Sequence, residues 1–144
     1  QAVILRIGLL YNDRHGPFQA IYQKLHDDQT EEIRLSDRQI RYPLHTDDVC
    51  YYADKIMHEG GPPILHLSGP DAYSKYEAGR LIARFSGSQK PVIPDESNAQ
   101  GAKRPDHVHL SLGRLKTRYH PYHATRFEEG MLACVSKWGA PIVK

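Results

Sequence analysis

The chain has 144 residues, of which 40% are hydrophobic and 25% are charged, and its 19 Lys and Arg against 17 Asp and Glu leave a formal net charge of +2. This length and composition are typical of one folded domain with a single core, and they exclude a disordered or fibrous protein. The balanced, scattered charge gives no support for binding to nucleic acid or to an anionic membrane. Small molecules or other proteins are the expected partners.

The cysteine pattern and the N-terminus bear on where the protein works. Cys50 and Cys134 lie in separate apolar stretches and far from any Cys-x-x-Cys spacing, which argues against a disulfide framework or a zinc ribbon. We therefore expect a reducing compartment, the cytoplasm or the nucleus. No basic region opens the chain, and no stretch reaches the about 18 apolar residues of a membrane span. The first residue is not Met, which suggests a processed chain or a piece of a longer protein.

The first half of the chain predicts a strand, two helices and a weak strand. Residues 2–10 form a near-continuous aliphatic run, the pattern of a strand covered on both faces in a parallel sheet. A short helix is expected over 18–26 and a weak extended segment over 33–41. Thr46 is expected to cap the next helix, which ends at Gly60. The predicted core positions of that helix follow helical spacing: they are Val49, Tyr52, Ala53, Ile56 and Met57.

The second half continues the alternation of strands and helices. A short buried strand is predicted over 64–68, and Ser74 with Glu77 has the spacing of a capping box that opens a helix. The predicted core face of this helix is Ala78, Leu81, Ile82 and Phe85. Residues 90–98 contain two prolines and are expected to be extended or looped, because proline lacks a backbone N–H.

The chain is expected to close with a short strand and a helix. Val108 and Leu110 suggest the strand, and an amphipathic helix follows from about Thr125 to Lys137. The whole order of elements predicts an α/β fold. Sheets of this class bind dinucleotides at a Gly-rich turn after their first strand, and neither GxGxxG nor GxxGxxG occurs in this sequence.

Three motifs resemble the extended short-chain dehydrogenases/reductases of the dTDP-4-dehydrorhamnose reductase kind, and they occur in that family's order. They are residues 41–49 (Arg-Tyr-Pro-Leu-His-Thr-Asp-Asp-Val), residues 66–69 with 74–77, and residues 101–105 (Gly-Ala-Lys-Arg-Pro). The resemblance implies a partial Rossmann-like fold, the C-terminal portion without the N-terminal dinucleotide-binding half. Residues 1–144 are then one RmlD-like substrate-binding portion, with residues 1–10 as a residual sheet strand and 41–144 as the substrate-side subdomain.

Within this family, residues 41–45 and 101–105 most resemble the regulatory β subunits of methionine adenosyltransferase. That resemblance implies a non-catalytic subunit of S-adenosylmethionine biosynthesis, whose partner is the catalytic subunit and whose residues 126–144 contribute to the contact. The alternative is a fragment of an NADPH-dependent nucleotide-sugar reductase. In either case NADP binding requires the N-terminal half, and Gly8, Leu9 and Leu10 are the implied contacts with the nicotinamide end of the cofactor.

Three residues are implied for the substrate pocket. Arg104 matches the family's Arg-Pro beside the nucleotide-sugar pocket, where a guanidinium can bind a diphosphate or carboxylate through two hydrogen bonds. A structural salt bridge is the alternative. His45 either transfers a proton at this pocket or makes a hydrogen bond that orders its loop. Arg41 is the third candidate, and with Asp48 it is expected to tie the loop to its helix.

No catalytic residue is predicted for this chain. Tyr51 and Lys55 have the Tyr-x-x-x-Lys spacing with which such reductases lower a tyrosine pKa. Nine tyrosines make that spacing easy to meet by chance, and the family's pair precedes the strand that begins this chain. We expect an ordinary pair on a helix surface.

Two histidine pairs and one helix face complete the candidates. His107 with His109 has ligand-like spacing, and His120 with His123 forms a second pair, but no metal is predicted because no thiolate or carboxylate is arranged to complete a tetrahedron. The closing helix carries three large apolar side chains, which either pack in the core or, if exposed, anchor a partner. These side chains are Phe127, Met131 and Trp138.

Overall fold

Helices and short strands alternate along the chain, as predicted for an α/β fold. The computed structural model describes residues 2–95 and 104–139. In chain order the elements are β1 (Ile4–Ile7), β2 (Leu10–Tyr11), α1 (Pro17–Leu25), β3 (Ile33–Leu35), β4 (Leu44–His45), α2 (Thr46–Glu59), β5 (Ile64–Leu67), α3 (Lys75–Ser86), β6 (Val92–Pro94), α4 (Gly113–Arg118) and α5 (Phe127–Trp138).

The strands of the described residues form three parallel pairs: β1 with β5, β2 with β4, and β3 with β6. The single strand predicted over 2–10 is thus two strands with different partners. The backbone N–H of Gly8 still donates to the carbonyl of Leu67 at 2.9 Å, and after it the carbonyl of Leu9 accepts from Leu44 N–H at 2.8 Å. The chain therefore changes partner directly after β1.

Helix α2 begins at Thr46, but its cap is not the predicted one. The N-cap is His45, whose Nδ1 accepts a hydrogen bond from the backbone N–H of Asp47 at 3.2 Å. Tyr52 is buried on the inner face, whereas Met57 is 75% exposed, so its assignment to the core was wrong. Met57 lies about 140° around the helix from Tyr52, which turns it to solvent.

Helix α3 begins with the predicted capping box. Ser74 Oγ accepts from Glu77 N–H at 3.1 Å, and the Glu77 carboxylate accepts from Ser74 N–H at 2.7 Å. These bonds satisfy two donors that a helix start leaves without partners. The predicted core face is buried at Ala78, Leu81 and Ile82, while Phe85 packs half-buried at the edge of the core.

Two groups of buried side chains hold the elements together. The larger lies among α1, α3 and α5, and the smaller among α2, α4 and β5. Burial of a large apolar side chain stabilises the fold by about 2 kcal/mol. The largest side chains that are almost fully buried are Tyr52, Phe127, Leu65, Leu67, Ile82, Leu115 and Met131.

The prediction of a strand at Val108 and Leu110 was wrong. Within the described segment 104–139, the β-type pairing with another part of the chain is limited to a single bridge between His107 and Ile40. Val108 is 37% exposed. The segment instead leads into the short helix α4, which the sequence did not indicate. No helix in residues 2–95 or 104–139 combines the length and apolarity needed to cross a bilayer.

Tyr11 offers a test of this core. Its ring is buried, burial raises its pKa above the ordinary range, and its hydroxyl has no hydrogen-bond partner within the described residues. Because an unpaired buried hydroxyl destabilises the fold, Tyr11→Phe should raise the free energy of unfolding by about 1 kcal/mol. Urea denaturation measures this change.

Tyr52→Phe is the matched control. The Tyr52 hydroxyl donates to the carbonyl of His123 at 2.7 Å and accepts from its N–H at 2.9 Å. Its removal should lower the free energy of unfolding by about 1 to 2 kcal/mol. A Tyr11→Phe variant that is destabilised as much as Tyr52→Phe contradicts the prediction.

Candidate functional site

A cavity of about 180 Å³ lies where the segment after β1, the start of α1, the segment before β4 and the start of α3 meet. It brings together Leu9, Arg41 and Arg104, which the sequence placed far apart. Three of its lining residues are cationic and none is acidic, so it suits an anionic ligand. The lining residues are Leu9, Pro17, Phe18, Gln39, Arg41, Tyr73, Ser74, Lys75 and Arg104.

A wider groove of about 570 Å³ shares Tyr73 with this cavity. Its wall mixes Asp71 and Glu77 with Arg80 and Arg84, and it contains none of the residues that the sequence proposed for the substrate pocket or the cofactor. The two acids are already engaged: Asp71 pairs with Arg126 at 2.9 Å, and Glu77 closes the capping box. The smaller cavity is therefore the better candidate site.

Arg104 and Arg41 differ in what their guanidinium groups contact. Arg104 is exposed, and no hydrogen bond or ion pair joins it to residues 2–95 or 104–139. Arg41 instead donates to the carbonyls of Ile40 at 2.8 Å, Pro105 at 3.0 Å and Asp106 at 3.4 Å. Arg104 is thus the guanidinium with more donors to offer a ligand. The remainder of its motif, residues 101–103, lies outside the described residues.

Asp48 does not act with Arg41, contrary to the expectation that the two tie one loop to its helix. Its carboxylate is 1% exposed and accepts from the N–H and the hydroxyl of Thr125, each at 2.9 Å. His123 Nε2 lies 3.2 Å from the same carboxylate. Asp48 therefore joins α2 to the segment before α5, and Arg41 joins two other segments. Neither link is local in sequence.

His45 makes a hydrogen bond of the loop-ordering kind. Its Nδ1 serves as the cap of α2, its ring stands edge-on to Tyr11 with centroids 5.0 Å apart, and it is not among the residues that line the cavity. The three residues with an implied cofactor contact do not share one environment. Leu9 lines the cavity, Leu10 lies in β2 and is 38% exposed, and a Cβ at Gly8 would lie 3.2 Å from Ser68 Oγ.

Tyr51 and Lys55 lie on the surface of α2, as expected. Lys55 Nζ lies 5.9 Å from the Tyr51 ring centre and forms an ion pair with Glu59 at 2.9 Å. The hydrogen bond that Lys55 donates to the Glu59 carboxylate raises the pKa of Lys55, which keeps the lysine charged. Neither Tyr51 nor Lys55 lines the cavity.

The first histidine pair forms a ring stack. The rings of His107 and His109 are nearly parallel with centroids 6.2 Å apart, and the Tyr42 ring stacks 4.4 Å from that of His109. Tyr42 Oη lies 3.1 Å from His107 Nε2. Within the part of the chain that the structure describes, no group of three or more His, Cys, Asp or Glu is placed to hold a metal ion.

The three apolar side chains of α5 face the protein interior. Phe127 and Met131 are fully buried, so they are not available as an exposed anchor for a partner. Trp138 is half-buried, and its Nε1 donates to the carbonyl of Asp13 at 2.7 Å. Of the proposed partner segment 126–144, residues 140–144 lie outside the described residues.

The RmlD substrate binding domain is the family whose sequence pattern matches residues 1–139. The chain belongs to this family. No curated protein matches it significantly in sequence. This assignment agrees with the position of the cavity, which lies where segments that follow the parallel strands β1 and β3 meet the start of α3.

Solved structures with the same fold include nucleotide-sugar enzymes. The dTDP-4-dehydrorhamnose reductase of Clostridium acetobutylicum has a TM-score of 0.81 and 21% identity, with 93% of this chain and 48% of that chain covered. The dTDP-4-dehydrorhamnose reductase of Bacillus anthracis, solved with NADP, has a TM-score of 0.81 and 20% identity, with 94% of this chain and 48% of that chain covered. The enzyme WbmG of Bordetella bronchiseptica, solved with NAD and UDP, has a TM-score of 0.75 and 22% identity, with 94% of this chain and 42% of that chain covered. This chain thus spans about half the length of these relatives.

Sequence reasoning missed several residues that line the cavity. The sequence places Ser74 and Lys75 in a family motif and at the start of a helix but not in the site, and it does not single out Gln39 or Tyr73. A signal was present for Lys75, because a lysine in the first turn of a helix opposes the helix dipole and so invites a functional explanation. Gln39 and Tyr73 carry no such local signal.

Proposed function

We propose that this chain is the substrate-side portion of an NADPH-dependent nucleotide-sugar reductase of the dTDP-4-dehydrorhamnose reductase type. The observation that carries the proposal is the exposed Arg104 guanidinium at a cavity that Arg41 and Lys75 also line. A guanidinium binds phosphate oxygens through paired, charge-assisted hydrogen bonds. The relatives named as nucleotide-sugar reductases, and WbmG with its bound UDP, support a nucleoside diphosphate as the anionic part of the ligand.

The described residues do not by themselves form a site for NADP. The Gly-rich turn that holds a dinucleotide diphosphate is missing from the sequence, and Gly8 has its backbone N–H in the sheet, bonded to Leu67. Bound NADP would supply the hydride for reduction. In this proposal the chain binds the diphosphate of the substrate and orients the sugar, and it contributes no catalytic residue.

Removal of Arg104 tests the proposal. In isothermal titration with dTDP, the Arg104→Ala variant should bind about 10-fold to 100-fold more weakly than the unchanged protein, because one charge-assisted contact to phosphate is lost. Arg114→Ala is the control, since Arg114 is also exposed and lies outside the cavity lining. The control should bind dTDP as the unchanged protein does.

Two outcomes count against this function. If the unchanged protein shows no heat of binding with dTDP or UDP at millimolar concentration, the cavity is not a nucleoside diphosphate site. If Arg104→Ala and Arg114→Ala weaken binding equally, the attraction is a general effect of charge and not a contact at the cavity.

A second candidate is a regulatory, non-catalytic subunit for methionine adenosyltransferase, with the catalytic subunit as partner. Residues 41–45 and 101–105 carry that resemblance, and the contact of Arg41 with the carbonyl of Pro105 joins the two motifs. The family match and the relatives favour the reductase class, so this role takes second place. Co-purification of the protein with the catalytic subunit is the expected result; recovery at background level would exclude the role.

A further inference from the structure

The side chain of Arg41 joins two segments that form the wall of the cavity. Its Nη1 donates to the carbonyls of Ile40 at 2.8 Å and Asp106 at 3.4 Å, and its Nη2 donates to the carbonyl of Pro105 at 3.0 Å. Pro105 and Asp106 directly follow Arg104. Three of the five guanidinium hydrogens are thus directed at backbone carbonyls, two of them next to Arg104.

The backbone around Arg41 is tied to the same wall. The backbone N–H of Arg41 donates to the carbonyl of Tyr73 at 2.9 Å, and the backbone N–H of Tyr73 donates to the carbonyl of Arg41 at 2.8 Å. Ile40 N–H donates to the carbonyl of Asp106 at 2.6 Å, and Val108 N–H donates to the carbonyl of Ile40 at 3.3 Å. Three segments of the cavity wall therefore meet at Arg41.

The geometry points to Arg41 as the positioning residue for Arg104: it fixes the backbone at Pro105 and Asp106 and so directs the Arg104 guanidinium to the cavity. This inference rests on the proposed function, because it assigns the contact with the diphosphate to Arg104 alone. A long, exposed side chain loses less freedom on binding when the backbone that carries it is already fixed. Arg41 thereby raises affinity through Arg104.

Lysine at position 41 separates positioning from charge. Lysine keeps the positive charge, but its single nitrogen cannot reproduce the planar fork that spans two neighbouring carbonyls. If Arg41 acts on the position of Arg104, Arg41→Lys should weaken dTDP binding as much as Arg41→Ala, about tenfold for the loss of an ordered contact. If Arg41→Lys binds as tightly as the unchanged protein, Arg41 acts by charge and the inference is overturned.

A double-mutant cycle on the dissociation constant of dTDP is the main experiment. In the Arg104→Ala background, Arg41→Ala should change the dissociation constant by less than about twofold, because nothing remains for Arg41 to position. Independent, multiplying losses overturn the inference, since they mean that Arg41 contacts the ligand itself. Arg114→Ala is the matched control: it should leave the dissociation constant unchanged both in the unchanged protein and when it is added to Arg104→Ala.

Hydrogen exchange without ligand distinguishes a failure of the inference from a failure of the proposed function. The amides of Ile40 and Val108 donate across the junction, and Arg41→Ala should accelerate their exchange by about tenfold, whereas Arg104→Ala should not. Absence of dTDP binding to the unchanged protein overturns the proposed function only. Exchange that stays unchanged in Arg41→Ala overturns the positioning role, whether or not dTDP binds.

Discussion

Asp48→Ala should lower the free energy of unfolding by about 3 kcal/mol, because it removes a fully buried carboxylate and leaves the donors around it without an acceptor. The N–H and the hydroxyl of Thr125 both donate to Asp48 at 2.9 Å, and His123 Nε2 lies 3.2 Å away. These contacts hold the segment before α5 against α2. Guanidinium denaturation followed by circular dichroism measures the loss.

Asp47→Ala is the control for this change. Asp47 is the preceding residue, it lies in the same helical turn, and its side chain is 86% exposed. Loss of its favourable interaction with the helix dipole should cost about 0.5 kcal/mol. Equal effects of the two substitutions would mean that helix charge, and not the buried carboxylate, accounts for the loss.

Gly69→Ala is the second change with a large expected effect. Gly69 follows β5, and its N–H donates to the carbonyl of Tyr42 at 3.1 Å. A Cβ there would lie 1.7 Å from the carbonyl oxygen of Pro43, which is backbone and cannot rotate away. The loop and the segment before β4 must separate, so the free energy of unfolding should fall by about 3 kcal/mol.

The control for this substitution is Gly113→Ala. A Cβ at Gly113 meets nothing nearer than 3.8 Å, so the free energy of unfolding should change by less than about 0.5 kcal/mol. Thermal melts of the two variants make the comparison. If the Gly69→Ala variant melts at the same temperature as the unchanged protein, the two segments can separate without loss of stability.

The parts of the fold that the sequence predicted depend on local patterns. Helix α3 was predicted with its cap and its inner face because Ser74 and Glu77 lie three residues apart and the apolar positions that follow repeat with helical spacing. Helix α2 was also predicted, but His45 and not Thr46 is its cap. Histidine is an uncommon N-cap, and nothing local in the sequence favours it over threonine.

The contacts that the sequence could not predict join residues far apart in the chain. Asp71 accepts from the backbone N–H of Phe127 at 2.9 Å, so the start of α5 is stabilised by a residue from the segment before α3. The candidate site also depends on contacts between residues far apart in the chain. Arg41 and Arg104 were both identified, yet their different roles follow from carbonyl positions that only the folded chain fixes.

The chain contains a single tryptophan, and its surroundings make it an optical probe. Trp138 ends α5, bonds to the carbonyl of Asp13 and packs on Tyr22, with ring centroids 5.4 Å apart. Undocking of α5 from the loop before α1 would move the indole into water. A red shift of its fluorescence therefore reports separation of these two parts, and it does so without an added label.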